Sequence, residues 1–326
     1  MRNNTFTGPI PQEIGRLIRL QLIEFSNNSF GGGIPTNLSQ CPNLYYLNLI
    51  DNDLTGGIVP EIASLVNLQA LGLSINMLAG TIPPFIGNLT DLSRLSLGSC
   101  HFKGKIPESL AKLGRLQLLV LSENDLTGSI PSGLYNLSSV EIFELNSNRL
   151  HGDIPSNIGY TLPKLRHLYL SFNNFSGALP ASLSNSSLIE HIEIDANSFT
   201  GNMIDLTRCS ALKMLMVEDN RFNGDIGTIM SSLTNCTNLA ALMLNENHFT
   251  GSLPDSMGNL SNHLWYLRLD NNQLSGSIPS SIGNLVGLTT LVADTNNLKG
   301  QIPSSIGKLH FIGQLDFVEH SFLSIK

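Results

Sequence analysis

The stretch LQLLVLSENDLTGSIPSGLYNLSS, Leu116 to Ser139, decides the fold, because its wording returns about every 24 residues along a chain of 326. Within it, Leu116, Leu119 and Leu121 stand eight, five and three positions before Asn124, and Leu126 stands two after it. The L-x-L alternation places Leu119 and Leu121 on one side of a short strand and Leu118 and Val120 on the other. One such coil has two open faces and cannot bury its own leucines. Stacking the next coil covers them, at about 1.5–3 kcal/mol per fully buried leucine. The chain is therefore expected to be a repeat array rather than a globule with one centre.

Aligned on Asn124, the same slot holds Asn4, Asn28, Asn52, Asn76, Asn148, Asn173, Asn197, Asn220, Asn247, Asn272 and Asn296, with Cys100 and His320 in two further units. An asparagine amide has two donors and an acceptor with which to satisfy backbone groups of its own and the adjacent coil. A thiol donates only weakly, so Cys100 marks an expected softer rung. The Gly four residues after the anchor permits a tight bend, and the Ile-Pro pair beyond it favours an extended segment on the flank. The expected fold is an α/β-type solenoid with a parallel sheet, about 13 repeats of 24 residues, forming one domain over residues 1–326. The largest departure from the period is three extra residues between Asn220 and Asn247, too few for an inserted island that would hold a buried small molecule.

Composition narrows the function classes. Charged residues make up 13% and the formal net charge is −7, with no Lys/Arg block. Neither nucleic acid nor an anionic membrane surface is an expected partner. No apolar run approaches the roughly 18 residues needed to cross a bilayer. Cys41, Cys209 and Cys236 each stand three residues before a repeat's first leucine and read as small buried residues; Cys209 and Cys236, in neighbouring repeats, are within conceivable disulfide reach. No C-x-x-C pair suggests zinc. P-loop, G-x-G-x-x-G, G-x-S-x-G and H-E-x-x-H phrases are absent, so no enzyme activity and no cofactor are expected.

The wording L-x-x-L-x-L-x-x-N-x-L-x-G-x-I-P resembles the plant extracellular class of leucine-rich repeat across the whole chain. LPKLRHLYLSFNNFSGALPASLSN (Leu162 to Asn185) and SSLTNCTNLAALMLNENHFTGSLPDSMGNLS (Ser231 to Ser261) look like ectodomains of the plant receptor-like kinases that include the flagellin and elongation-factor-Tu sensors and the rice bacterial-resistance receptors. The resemblance implies a right-handed superhelix whose concave sheet binds a peptide or protein, with a smaller receptor kinase as co-receptor, on the extracellular face of the plasma membrane. It also implies a signal peptide, caps, a membrane helix and a kinase that this chain does not show; the sequence reads as truncated within a repeat at both ends, with fraying expected at Met1 to Leu20 and Leu315 to Lys326. The alternative function is that of a secreted inhibitor of a pathogen's cell-wall-degrading enzyme, as in the polygalacturonase-inhibiting relatives.

Nine N-x-S/T sequons, at Asn3, Asn27, Asn37, Asn88, Asn136, Asn174, Asn185, Asn235 and Asn259, avoid every anchor asparagine, a placement compatible with secretion. Strand positions six, four, two and one before each anchor, and one after, are expected to face outward. They are bland at Ala70, Gly72 and Ser74 and become large or charged at His167, Tyr169, Phe172, His191, Glu193, Asp195, Met214, Met216, Glu218, Arg221, Met243, Glu246, His248, Tyr266, Arg268 and Asp270. Exposed aromatics, methionines and arginine are what a recognition surface needs, and the carboxylates favour a ligand with basic residues. The run HIEID, with His191, Glu193 and Asp195 beside His167, Tyr169 and Ser171 at about 4.8 Å strand spacing, reads as ligand contact rather than metal or acid/base chemistry.

Overall fold

In the computed structural model, which describes residues 1–317, each coil is built as the 24-residue phrase requires. In the coil of Asn124, strand Leu118–Val120 is followed by a turn in which Glu123 adopts φ 53°, by a second strand Asp125–Gly128, by Pro131 in extended conformation, and by a 3₁₀ helix Ser132–Asn136. Leu116, Leu119, Leu121 and Leu126 are fully buried. Gly128 takes φ 84°, a conformation that an L side chain rarely adopts, and the glycine four residues past every described anchor does the same.

The contacts cluster into two units, Met1–Gly152 and Asp153–Lys326. In the first unit, strands Leu22–Glu24, Tyr46–Asn48, Ala70–Gly72, Arg94–Ser96, Leu118–Val120 and Ile142–Glu144 pair in parallel, in sequence order. In the second unit His167–Tyr169, His191–Glu193, Met214–Met216, Ala241–Met243, Tyr266–Arg268, Thr290–Val292 and Gln314–Asp316 do likewise. We call these the first sheet of each unit. A second parallel ladder, which periodicity did not announce, is formed by the Asn-x-Leu-x-Gly segments: for example Asp53–Gly56, Met77–Gly80 and His101–Lys105 in the first unit, and Asn174–Ala178, Ser198–Asn202 and Arg221–Asp225 in the second.

The anchor ladder is as expected. Asn148 Nδ2 donates to Leu145 O (3.1 Å) and Asn146 O (3.2 Å) in its own coil and to Leu121 O (3.0 Å) in the preceding one, while its Oδ1 accepts from Leu126 N–H (3.0 Å). Asn76 and Asn220 repeat the four contacts. Cys100 in that slot donates its single thiol proton to Leu73 O at 3.5 Å. His320, assigned to the same slot, lies outside the described residues.

Departures from the period are absorbed on the helical side. The three extra residues after Asn220 are accommodated in the seven-residue α-helix Ile226–Ser232, whose first turn is capped by the Asp225 carboxylate accepting from Thr228 N–H at 2.9 Å. Two positions after the anchor, the second unit stacks Phe175, Phe199, Phe222 and Phe249 at centroid separations of 6.3, 6.1 and 6.4 Å, all buried. All four cysteines are buried free thiols. Cys209 and Cys236 are not bridged; Cys236 Sγ–H instead donates to Cys209 O at 3.3 Å, and burial pushes their thiols up to about 11 and about 12. No described helix is long and apolar enough to cross a membrane.

Candidate functional site

The first sheet of the second unit brings most of the expected contact residues onto two rows. Six positions before each anchor, His167, His191, Met214, Ala241 and Tyr266 are successive cross-strand neighbours; four before it, Tyr169, Glu193, Met216, Met243 and Arg268 are. All but the buried Ala241 are half-buried, so each presents an edge to solvent while being held by its neighbours.

At one end of these rows the His167 and His191 rings stack at 4.6 Å, and the Tyr169 hydroxyl lies 3.1 Å from His167 Nδ1 and 2.9 Å from His191 Nδ1. Burial, followed by the neighbouring His167, holds His191 below its usual range, which favours the neutral ring. Glu193 approaches His191 at 3.7 Å. Among the described residues no group of His, Cys, Asp and Glu has metal-binding geometry.

The row two positions before the anchor differs from expectation. Alternation points it outward, yet Asp195 is 7% exposed, Asp270 1% and the intervening Asn245 1%; Ser74 in the first unit is also buried and bonds Gly98 N–H and the Ser96 hydroxyl. This row sits at the strand ends, where each side chain is sheltered by those of the adjoining coils. Asp195 accepts from the Ser171 hydroxyl, and burial raises its carboxyl. Glu218 is pushed up to about 7, first by burial and then by the Asp195 charge, and its Oε2 has no hydrogen-bond partner. Asn245, which residue type alone did not mark, leaves Oδ1 buried and unpartnered in the same row.

Six expected contacts already have internal partners or lie elsewhere. Arg268 donates Nε–H to Asp270 Oδ1 at 3.0 Å and Nη2–H to Oδ2 at 2.6 Å, so this cation and this carboxylate neutralise one another. Arg221 and His248 belong to strands of the second sheet. Phe172 and Glu246 occupy the left-handed turn before the anchor, at φ 54°, with Phe172 60% exposed. Sequence reasoning also missed Glu190, buried and gripped by Arg166 and by Lys213 Nζ at 2.5 Å; the Lys213 contact, with that of Arg166, holds its carboxyl below the usual range.

The "Leucine Rich Repeat" family model matches residues 19–41, 43–65, 91–113, 115–137, 164–186, 238–260 and 263–285. The fold is that of a leucine-rich repeat protein. Among the curated proteins no match is found. Of the solved leucine-rich repeat structures it resembles, the plant peptide hormone receptor RGFR1 in complex with RGF2 superposes with a TM-score of 0.87 at 32% identity over 97% of this chain. PEPR1–AtPEP1 gives 0.93 at 32% over 98%, and the Arabidopsis receptor kinase HAESA, in complex with the peptide hormone IDA and the co-receptor SERK1, gives 0.84 at 31% over 98%. The chain spans about half the length of these structures: 50%, 44% and 57%.

Proposed function

We propose that this chain is the ligand-recognition part of a plant cell-surface receptor, and that it takes an extended peptide across the first sheet of the second unit. The observation that carries the reading is the pairing, on one face, of half-buried apolar groups (Tyr169, Met214, Met216, Met243, Tyr266) with the half-buried carboxylate of Glu218, which has no cation at ion-pair distance among the described residues and whose Oε2 has no hydrogen-bond partner. Apolar side chains offer contact area at small desolvation cost, and the carboxylate selects a basic residue. Five strands at about 4.8 Å span about 19 Å, room for roughly six residues of extended chain. Among the similar structures, RGFR1 is a plant peptide hormone receptor in complex with RGF2, and HAESA is a receptor kinase in complex with the peptide hormone IDA and a co-receptor. A peptide ligand and a second receptor kinase are the partners this supports.

The reading places the chain on the extracellular face of the plasma membrane, and within the receptor class the phrases Leu162 to Asn185 and Ser231 to Ser261 favour the bacterial-sensor branch. Exposure of the sequons Asn3, Asn27, Asn88, Asn136, Asn174, Asn235 and Asn259, with Asn37 and Asn185 half-buried, suits glycosylation of that surface. The test is to pan a random dodecapeptide library against the chain and measure the enriched peptides against variants. Enrichment of basic residues is expected, with Tyr169→Ala, Met216→Ala and Tyr266→Ala each weakening binding roughly tenfold or more, and Lys103→Ala, on the second sheet of the first unit, leaving it unchanged. Binding should also weaken as pH falls from 8 to 6, because a bound cation needs Glu218 ionised. Equal effects from all four variants, or no basic enrichment, would place recognition elsewhere.

A further inference from the structure

The first unit holds a concavity where residue type suggested a featureless face. A hollow of about 210 Å³ opens on its first sheet. Ala70 and Gly72 form the floor, and cross-strand pairing sets Tyr46 on one side and Arg94 on the other, with Ile50 and Val120 completing the rim. At position 72 the neighbouring side chains close on bare backbone: a Cβ there would meet Asn48 Oδ1 at 2.8 Å and Ile50 Cδ1 at 2.9 Å, so a larger residue would have to push them into the hollow. A glycine inside a strand weakens the strand and often marks close approach by another molecule. Tyr46 is held in place by donating its hydroxyl to Glu24 Oε2 at 3.1 Å. Arg94 is exposed and has no ion-pair partner among the described residues.

Size and charge together specify an occupant. A cavity of about 150 Å³ accepts benzene, whereas whole small-molecule ligands occupy roughly 300–1,000 Å³. The hollow therefore has room for one ring and little more. A free guanidinium at the rim of an apolar hollow is complementary to a carboxylate, which it binds through two parallel N–H donors. We infer that this hollow is a binding site for an aromatic side chain carried by an acidic peptide segment, the ring seated over Gly72 and the carboxylate on Arg94. The inference rests on the first unit alone, so it stands or falls separately from the peptide track of the second.

N-acetyl-L-phenylalanine and its primary amide, titrated into the intact chain and followed by saturation-transfer NMR, test it. The acid should bind with a dissociation constant on the order of millimolar, as suits a ligand of its size, and the amide about tenfold more weakly for want of a charged partner. Arg94→Gln should bring the acid down to the affinity of the amide. Ala70→Leu, filling the hollow, should abolish binding of both, and Gly72→Leu should do the same with some loss of stability, because Asn48 Oδ1, which its Cβ would meet, is held by Ile50 N–H. Equal affinity of acid and amide for the unmodified chain, full binding in both filled variants, or no saturation transfer at tens of millimolar ligand would each overturn the inference.

Discussion

Asn148 shows how much one residue does in a stacked coil: three donations and one acceptance tie it to two coils at once. Asn148→Ala leaves the buried Leu126 N–H without its acceptor and removes one of the two donors to Leu121 O, which keeps that of Asn124 Nδ2, and should cost about 1–3 kcal/mol. Cys100→Asn, replacing a weak sulfur acceptor and a single thiol donor by an amide with a strong acceptor and two donors, should be neutral or stabilising; urea melts of the two variants check both signs. Glu218 gives a second residue-scale expectation. Its carboxyl is raised to about 7 in the folded chain against an unfolded value of 4.5, so the folded state holds an extra proton between those limits. Stability from this group is present at pH 5 and lost as pH rises through about 7. Glu218→Gln should therefore stabilise the chain at pH 8, on the order of 1 kcal/mol after discounting solvent screening, and have little effect at pH 5. Thermal melts at the two pH values show whether the difference has that sign.

At the scale of the element, the position two residues past the anchor carries the second unit's spine. Phe199 is fully buried between Phe175 and Phe222, with rings nearly parallel at 14° and 9°. Phe199→Ala removes both stacks and opens a cavity that neither neighbouring coil can close without breaking its own register. The expected loss is about 3–5 kcal/mol by denaturant titration, whereas Phe172→Ala, at an exposed turn, should cost less than about 1 kcal/mol. Helical segments tolerate far more variation: the coil after Asn197 has no helix at all before its next strand, and the coil after Asn220 has a seven-residue α-helix. They lie beyond the strands, so a changed length bulges outward and leaves the strand ladders intact.

For the molecule as a whole, each coil is stabilised by its neighbours in the stack, so protection should fall where a neighbour is missing. Strand Leu22–Glu24 pairs only with Tyr46–Asn48, and Leu17, Ile18 and Leu22 are 55%, 63% and 46% exposed. Amide exchange in Met1 to Leu20 should be faster than in Leu116 to Val140 by at least about a hundredfold, since terminal opening costs far less than global unfolding. Equal protection in the two segments would show the array to be more cooperative than nearest-neighbour stacking allows. The other expected fraying segment extends past residue 317, outside the described residues.

The sequence by itself determined the period, the inward leucines, the asparagine ladder and the glycine bend. Those features follow from contacts between a residue and its equivalents one coil away, and a repeat makes such neighbours readable along the chain. Tertiary structure alone decided which outward residues are available. Asp195 and Asp270 became buried, Arg268 was taken by Asp270, and Arg221 and His248 went to a second sheet, while Gly72, bland by residue type, became the floor of a hollow. Alternation reports which side of a strand a side chain leaves from. Its exposure depends on the sizes and charges of the particular side chains that parallel pairing sets beside it, and those differ from coil to coil.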